Sequence, residues 1–313
     1  ASRPGNLVVY ENEGDETIAF VDGGQALVGI DLTGEVEFRH PLPSHTAESG
    51  GMVRTTRGAD GRRWTAVSGV GWQHVFLMDE QGNAVVDFPG ENCPGVASIE
   101  FLPRADGTSL CVGFWGVWGI HCVAADGSRL WVDRSLEQVS QLVAVEEKDG
   151  DNSLWCLSDR GAVVKLTDDG KLAEEIWVGS EPLMYAKVAR FEAGDSLHCC
   201  GLAVSSVGRY RAVFFTPNGD VVAEYSLPKG EYGTAVERIQ AVTLPGARPA
   251  WMIAAADGSL HWLDAEGAPI DRFAIGAEIT GAAMTETGDA AILLVSTAEG
   301  LTAWRVEAPS AGW

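Results

Sequence analysis

A tight turn ending in glycine recurs along this chain, at Gly34, Gly82, Gly127, Gly170, Gly219 and Gly267, with neighbours 43 to 49 residues apart. An apolar strand precedes each turn and another follows it. That period is too long for ankyrin or tetratricopeptide units and accommodates four short strands. The turns favour the composition of Asp31–Gly34, Asp79–Gly82 and Asp264–Gly267, because Asp, Asn and Gly accept tight-turn backbone that other residues resist. A seventh copy starts at Glu299 and Gly300 and runs through Trp304 to Val306, which leaves only seven residues for a turn and a further strand.

Four strands per repeat predict the blades of a β-propeller. In the third repeat they fall at 96–103, 108–114, 118–123 and 128–133, and the second strands of the seven repeats align at 17–21, 64–68, 110–114, 155–158, 198–202, 251–255 and 291–295. With 38 glycines, 11 tryptophans and no long Ala/Leu/Glu/Lys segment, no helix is required. Residues 6–10 align as the first strand of blade one, so they are committed there and blade seven is expected to lack a full outer strand. The expectation is one all-β domain over residues 1–313, a seven-bladed propeller of four-stranded antiparallel blades.

The unit of apolar strand, Asp-x-x-Gly and outer strand, best seen at Gly127, Leu130 and Trp131, resembles the quinoprotein-like and WD40-like bacterial propellers over nearly the whole chain. The Gly-His and Trp-Asp pairs of WD40 repeats are missing, and Phe38, Val86, Glu174, Ala223 and Asp271 stand where Trp131 does. The resemblance implies the fold, and a fold does not carry a function. It also raises a vicinal Cys199–Cys200 disulfide against a quinone, as in quinoprotein alcohol dehydrogenases. Cys111, Cys156 and Cys199, however, share one second-strand position with Thr65 and Met252, which reads as a small packing site and predicts buried thiols. Cys111 and Cys122 fall opposite one another if Gly116 and Val117 form a two-residue hairpin. No calcium-and-quinone set of Glu, Asn and Asp is found, so no cofactor is expected.

Charge and hydropathy exclude further classes. The formal net charge of −22 opposes unspecific binding to nucleic acid or anionic lipid. No apolar run approaches the ~18 residues of a membrane helix, and residues 1–5 have no basic stretch leading into an apolar one. The compartment, envelope or cytoplasm, is left open. Of the histidines, His121, His198 and His261 fall at strand positions that are otherwise apolar or aromatic and read as packing residues, while His40 and His45 lie in a connection. The acidic turns lack the alternating spacing of a calcium loop, and no metal site is expected. Nor is there a Gly-x-Ser-x-Gly elbow, a P-loop or a His-Glu-x-x-His.

Topology sorts the loops onto two faces. Turns joining strands one to two and three to four share a face, which is rich in carboxylates and glycine. Turns joining strands two to three share the opposite face with the links between blades, and aromatics and cations gather there: Trp72, His74, Trp115, Trp118, Arg160, Arg209, Tyr210, Arg211, Lys229 and Tyr232. Trp, Tyr and Arg are enriched at binding hot spots. These ten residues predict a contact surface for a protein or small-molecule ligand on a non-catalytic binding or scaffold propeller. An enzyme of lyase, hydrolase or quinoprotein-like oxidoreductase type, with its pocket at the channel mouth on the same face, is the alternative. A sensor propeller within a longer envelope protein is a third reading.

Overall fold

A computed structural model describes residues 6–12, 15–43, 51–58, 60–89, 93–104, 107–136, 138–147, 150–191, 196–205, 207–230, 237–246, 248–287 and 290–307. Its strands form seven antiparallel sheets, each meandering outward in chain order, and together they make a seven-bladed propeller. The innermost strands are Val8–Asn12, Gly51–Arg57, Val96–Arg104, Val139–Glu146, Leu183–Ala189, Ile239–Leu244 and Ile279–Thr287. Adjacent blades bury side chains from both sheets between them: Val21 and Leu27 of blade one, for example, pack with Val53, Val67 and Phe76 of blade two. Because both faces of a blade are covered, the third strands Val75–Met78 and Ser259–Leu263 are buried at every position.

Blade three refines the expected boundaries. Its strands are Val96–Arg104, Gly107–Phe114, Ile120–Ala124 and Arg129–Asp133. Trp118 lies outside the third strand, in a helical turn at Gly116–Trp118, so the connection is longer than a two-residue hairpin. The register is nevertheless the expected one, with Cys111 opposite Cys122. No disulfide forms: all six cysteines are buried thiols, and Cys122 Sγ donates to Ser109 Oγ at 3.2 Å.

Among the described residues blade seven has three strands, the last being Gly300–Glu307, whose only strand partner is Ala290–Thr297. At the other terminus, Val8–Asn12 pairs with the second strand of blade one, and the preceding Asn6 is fully buried, donating from its backbone nitrogen to Gly51 O at 3.1 Å. The amino-terminal segment therefore belongs to blade one, as its alignment predicts, and does not complete blade seven.

The third-to-fourth turns carry the acidic face. Asp31 Oδ1 accepts from the backbone nitrogens of Thr33 and Glu35 at 2.8 and 2.9 Å, and Asp79 and Asp264 bind their own turns in the same way. These carboxylates hold turns closed, and their hydrogen bonds keep Asp31 and Asp126 below the usual carboxylate range.

Candidate functional site

Antiparallel meandering puts the second-to-third turns on the same side as the links between blades. On blades two and three this side is built around glycine. Gly71 N donates to Val96 O at 2.8 Å, Val96 N to Trp72 O at 2.7 Å and Trp115 N to Gly95 O at 3.0 Å, which ties two turns and one link together. The Trp115 ring lies over this junction: a Cβ on Gly71 would sit 3.3 Å from it and one on Gly95 3.2 Å. The ring remains 37% exposed, beside Val117 at 75%.

The other aromatics of this group turn inward to differing degrees. Trp72, 2% exposed, packs between blades one and two against Phe76 and Val67, and so presents nothing to a partner. Here the sequence expectation needs correction: the turn at Gly71 directs the indole into the core. Trp118 is half-buried, stacked on His121 with centroids 5.7 Å apart and leaning on Phe114 at 5.4 Å. His121 is buried as expected and its Nε2 lies 3.2 Å from Trp118 O; burial, with Arg129 nearby, pulls its pKa down to about 4. His74 stacks on Phe76 and places Nδ1 2.8 Å from Asp87 Oδ1.

The cations lie on blades four to six. Arg160, Arg209 and Lys229 are exposed, Arg209 in the same turn as Val207 at 73% exposure, and Tyr210 is half-buried. Arg211 is differently placed. It donates to Glu224 at 2.6 Å and to Glu181, bracing the outer strand of its blade and the link that leads into it, so its charge is already met. Tyr232 and His45 lie outside the described residues.

A second group, in the channel, was not visible in the sequence. Arg54 on the innermost strand of blade two donates to Glu237 at the entrance of blade six at 2.5 Å and to Glu100 of blade three at 3.4 Å; Lys187 of blade five lies 3.6 Å from Glu237. Arg54 and Glu237 are each 12% exposed. Burial pushes the Glu237 carboxyl up, and Arg54 and Lys187 more than offset it, leaving the group below its ordinary value. The residues are 183 apart in sequence, and only ring closure brings them together.

One further cluster contains the residue types of a hydrolase without its order. Tyr225 Oη lies 3.1 Å from His261 Nδ1, His261 Nε2 lies 2.8 Å from Ser259 Oγ, and Ser259 Oγ donates to Asp257 at 2.5 Å. Nucleophilic catalysis requires the imidazole between hydroxyl and carboxylate. Here the hydroxyl is in the middle, and Ser259 and His261 are 1% and 2% exposed. The chain of bonds ties blade five to blade six. Among the described residues no three His, Cys, Asp or Glu side chains converge in a metal-holding group.

No protein-family model matches the sequence, and no curated protein does. Solved structures do match in shape. BBS1N, in a crystal structure in complex with ARL6DN, superposes with a TM-score of 0.70 at 14% identity, over 100% of this chain and 94% of that one. Virginiamycin B lyase from Staphylococcus aureus gives 0.61 at 12% identity over 98% and 96% of the chains. BamB from Moraxella catarrhalis gives 0.56 at 14% identity over 97% and 83%. At such identities the likeness is one of fold, and the fold it establishes is the seven-bladed propeller.

Proposed function

We propose that this chain is a non-catalytic binding propeller that docks a protein partner on its link-side face. The observation that carries the reading is the distribution of exposed apolar surface. Among the described residues, large exposed apolar side chains occur on this face, at Trp115, Val117, Met184 and Val207, or along and just after outer strands, as at Val36, Leu130 and Trp177. None lies in a turn of the acidic face, where the carboxylates are engaged in closing turns. Exposed aromatics and branched residues interleaved with Arg160, Arg209 and Lys229 make a surface of hot-spot composition. The BBS1N structure, a propeller in complex with another protein, supports this use of the fold.

An enzymatic pocket at the channel mouth is less well supported, since Arg54, Glu100, Lys187 and Glu237 are engaged with one another. The test is affinity capture from the host's lysate with three baits: the parent protein, a Trp115→Ser/Val207→Ser/Arg209→Glu variant, and an Asp126→Ala/Asp169→Ala control. Proteins retained by parent and control and lost by the first variant are the expected result. Equal capture by all three, or loss only in the control, would put the working surface elsewhere.

A further inference from the structure

Among the described residues blade seven is one strand short, and the gap shows on both of its sides. The first sign is a pattern in the turn glycines. At five boundaries a side chain of the preceding blade covers the third-to-fourth turn of the next: His40 lies on Gly82, Val86 on Gly127, Trp131 on Gly170, Ile176 on Gly219 and Phe214 on Gly267. The first four of these come from fourth strands. At the boundary of blades seven and one, Gly34 has nothing within 4 Å of where its Cβ would be. The second sign is a cleft of about 790 Å³ on the opposite side, toward blade six, walled by Trp262, Ile270 and Phe273 of that blade and by Leu293, Trp304 and Val306 of blade seven. Successive side chains of a strand point to opposite faces. A strand added outside Gly300–Glu307 would therefore send one set of side chains over Gly34 and the other into the cleft.

Fourth strands in the other blades are five or six residues long, and Ala308–Trp313, which follow Glu307, carry no basic side chain to meet the charge around the gap. A second copy is disfavoured by charge, each chain carrying −22. The border of the gap is itself acidic: Asp31 and Glu35 on blade one, Asp264 and Asp271 on blade six, and Glu307 on the edge strand, against Arg248 and Arg305. We propose that the outer edge of Gly300–Glu307 receives an extended segment of another polypeptide, five or six residues long, with bulky apolar side chains at alternate positions and basic flanks. Main-chain pairing at a sheet edge supplies affinity and alternate side-chain pockets supply selectivity. This surface is separate from the link-side face, and the two stand or fall independently.

The probe is a labelled synthetic heptapeptide, Lys-Arg-Leu-Trp-Val-Arg-Lys with blocked ends, patterned on the outer strand of blade three. It is compared with a version carrying proline for leucine and valine and with one carrying glutamate for the four basic residues. Binding is read by fluorescence anisotropy and its location by hydrogen exchange of residues 300–307. The expected result is slowing of exchange there by at least tenfold, with each control peptide binding at least tenfold more weakly; Trp304→Ala should weaken the first peptide while leaving the thermal midpoint within a few degrees. The proposal is overturned if the peptide does not bind, or binds without protecting 300–307. It is equally overturned if the amides of 300–307 that face away from Ala290–Thr297 are already protected without peptide, either in a dimer seen by sedimentation or through Ala308–Trp313, as shown by deleting them.

Discussion

Arg54 of blade two and Glu237 at the start of blade six meet at 2.5 Å although neither blade adjoins the other, so this ion pair crosses the axis of the ring. With Glu100 and Lys187 it links blades two, three, five and six through a single cluster. Removing one member strands the others: Arg54→Ala is expected to cost about 3 kcal/mol, because an uncompensated carboxylate would be left in a nearly buried site. The double variant Arg54→Met/Glu237→Gln should recover at least half of that loss. Urea denaturation at pH 7 checks both. As the folded-state pKa of Glu237 is lowered, the stability it supplies is present above the ordinary carboxylate value and is lost as pH falls through the depressed one. The double variant should therefore be less acid-sensitive below about pH 4 than the parent.

His121 makes a second and separate pH dependence. Its pKa, about 4 when folded against an ordinary 6.5, means that the unfolded chain takes up the proton first. The stability contributed by the neutral ring is complete above about pH 6.5 and declines, by up to about 1.4 kcal/mol per pH unit, until about pH 4. Between pH 7.5 and pH 5 the parent should lose more stability than His121→Phe, which keeps the aromatic stack with Trp118. Equal losses would count against a buried neutral imidazole.

Gly34 and Gly170 occupy equivalent turns with φ near +91° and +80°, so alanine is strained at both. Only Gly170 lies under an indole, that of Trp131, whose Nε1 donates to Asp168 O at 2.8 Å. Gly34→Ala should cost about 1 kcal/mol and Gly170→Ala about 2 to 3, the difference being displacement of the ring. Thermal midpoints of the two variants settle the ranking.

The thiols supply a fourth check. All six are buried, and burial pushes Cys199 up to about 12. Iodoacetamide at pH 8 should leave the native protein unmodified over an hour and should alkylate all six positions in urea, with no reductant needed.

The blade count, the strand register around Cys111 and Cys122, and the short seventh blade were all legible in the sequence, since turn glycines and strand periods are local signals. The face carrying Trp115 and Arg209 followed from topology alone. Three things did not. Trp72 and Trp115 sit in similar turns, yet the backbone at Gly71 and Gly95 sends one ring into the core and leaves the other on the surface, a difference decided by three dimensions. Arg211 reads as a surface cation until Glu181, 30 residues earlier, is placed against it. The Arg54 cluster depends on closure of the whole ring, and charged residues on innermost strands look in one dimension like any others.

The separateness of the first and last sheets also has a mechanical consequence. Among the described residues no strand of blade one joins the sheet of blade seven; the seam is held by side chains, Leu7 and Ile18 against Ala283 and Leu294, and by the hydrogen bond from Thr285 to Glu16. The first described strand, Val8–Asn12, runs along the axis and the last, Gly300–Glu307, lies toward the outside, on the two sides of that seam. Tension applied between Val8–Asn12 and Gly300–Glu307 would load it directly, peeling the ring open there while the other six interfaces are still intact, so that the molecule yields like a clasp before it unravels like a fibre.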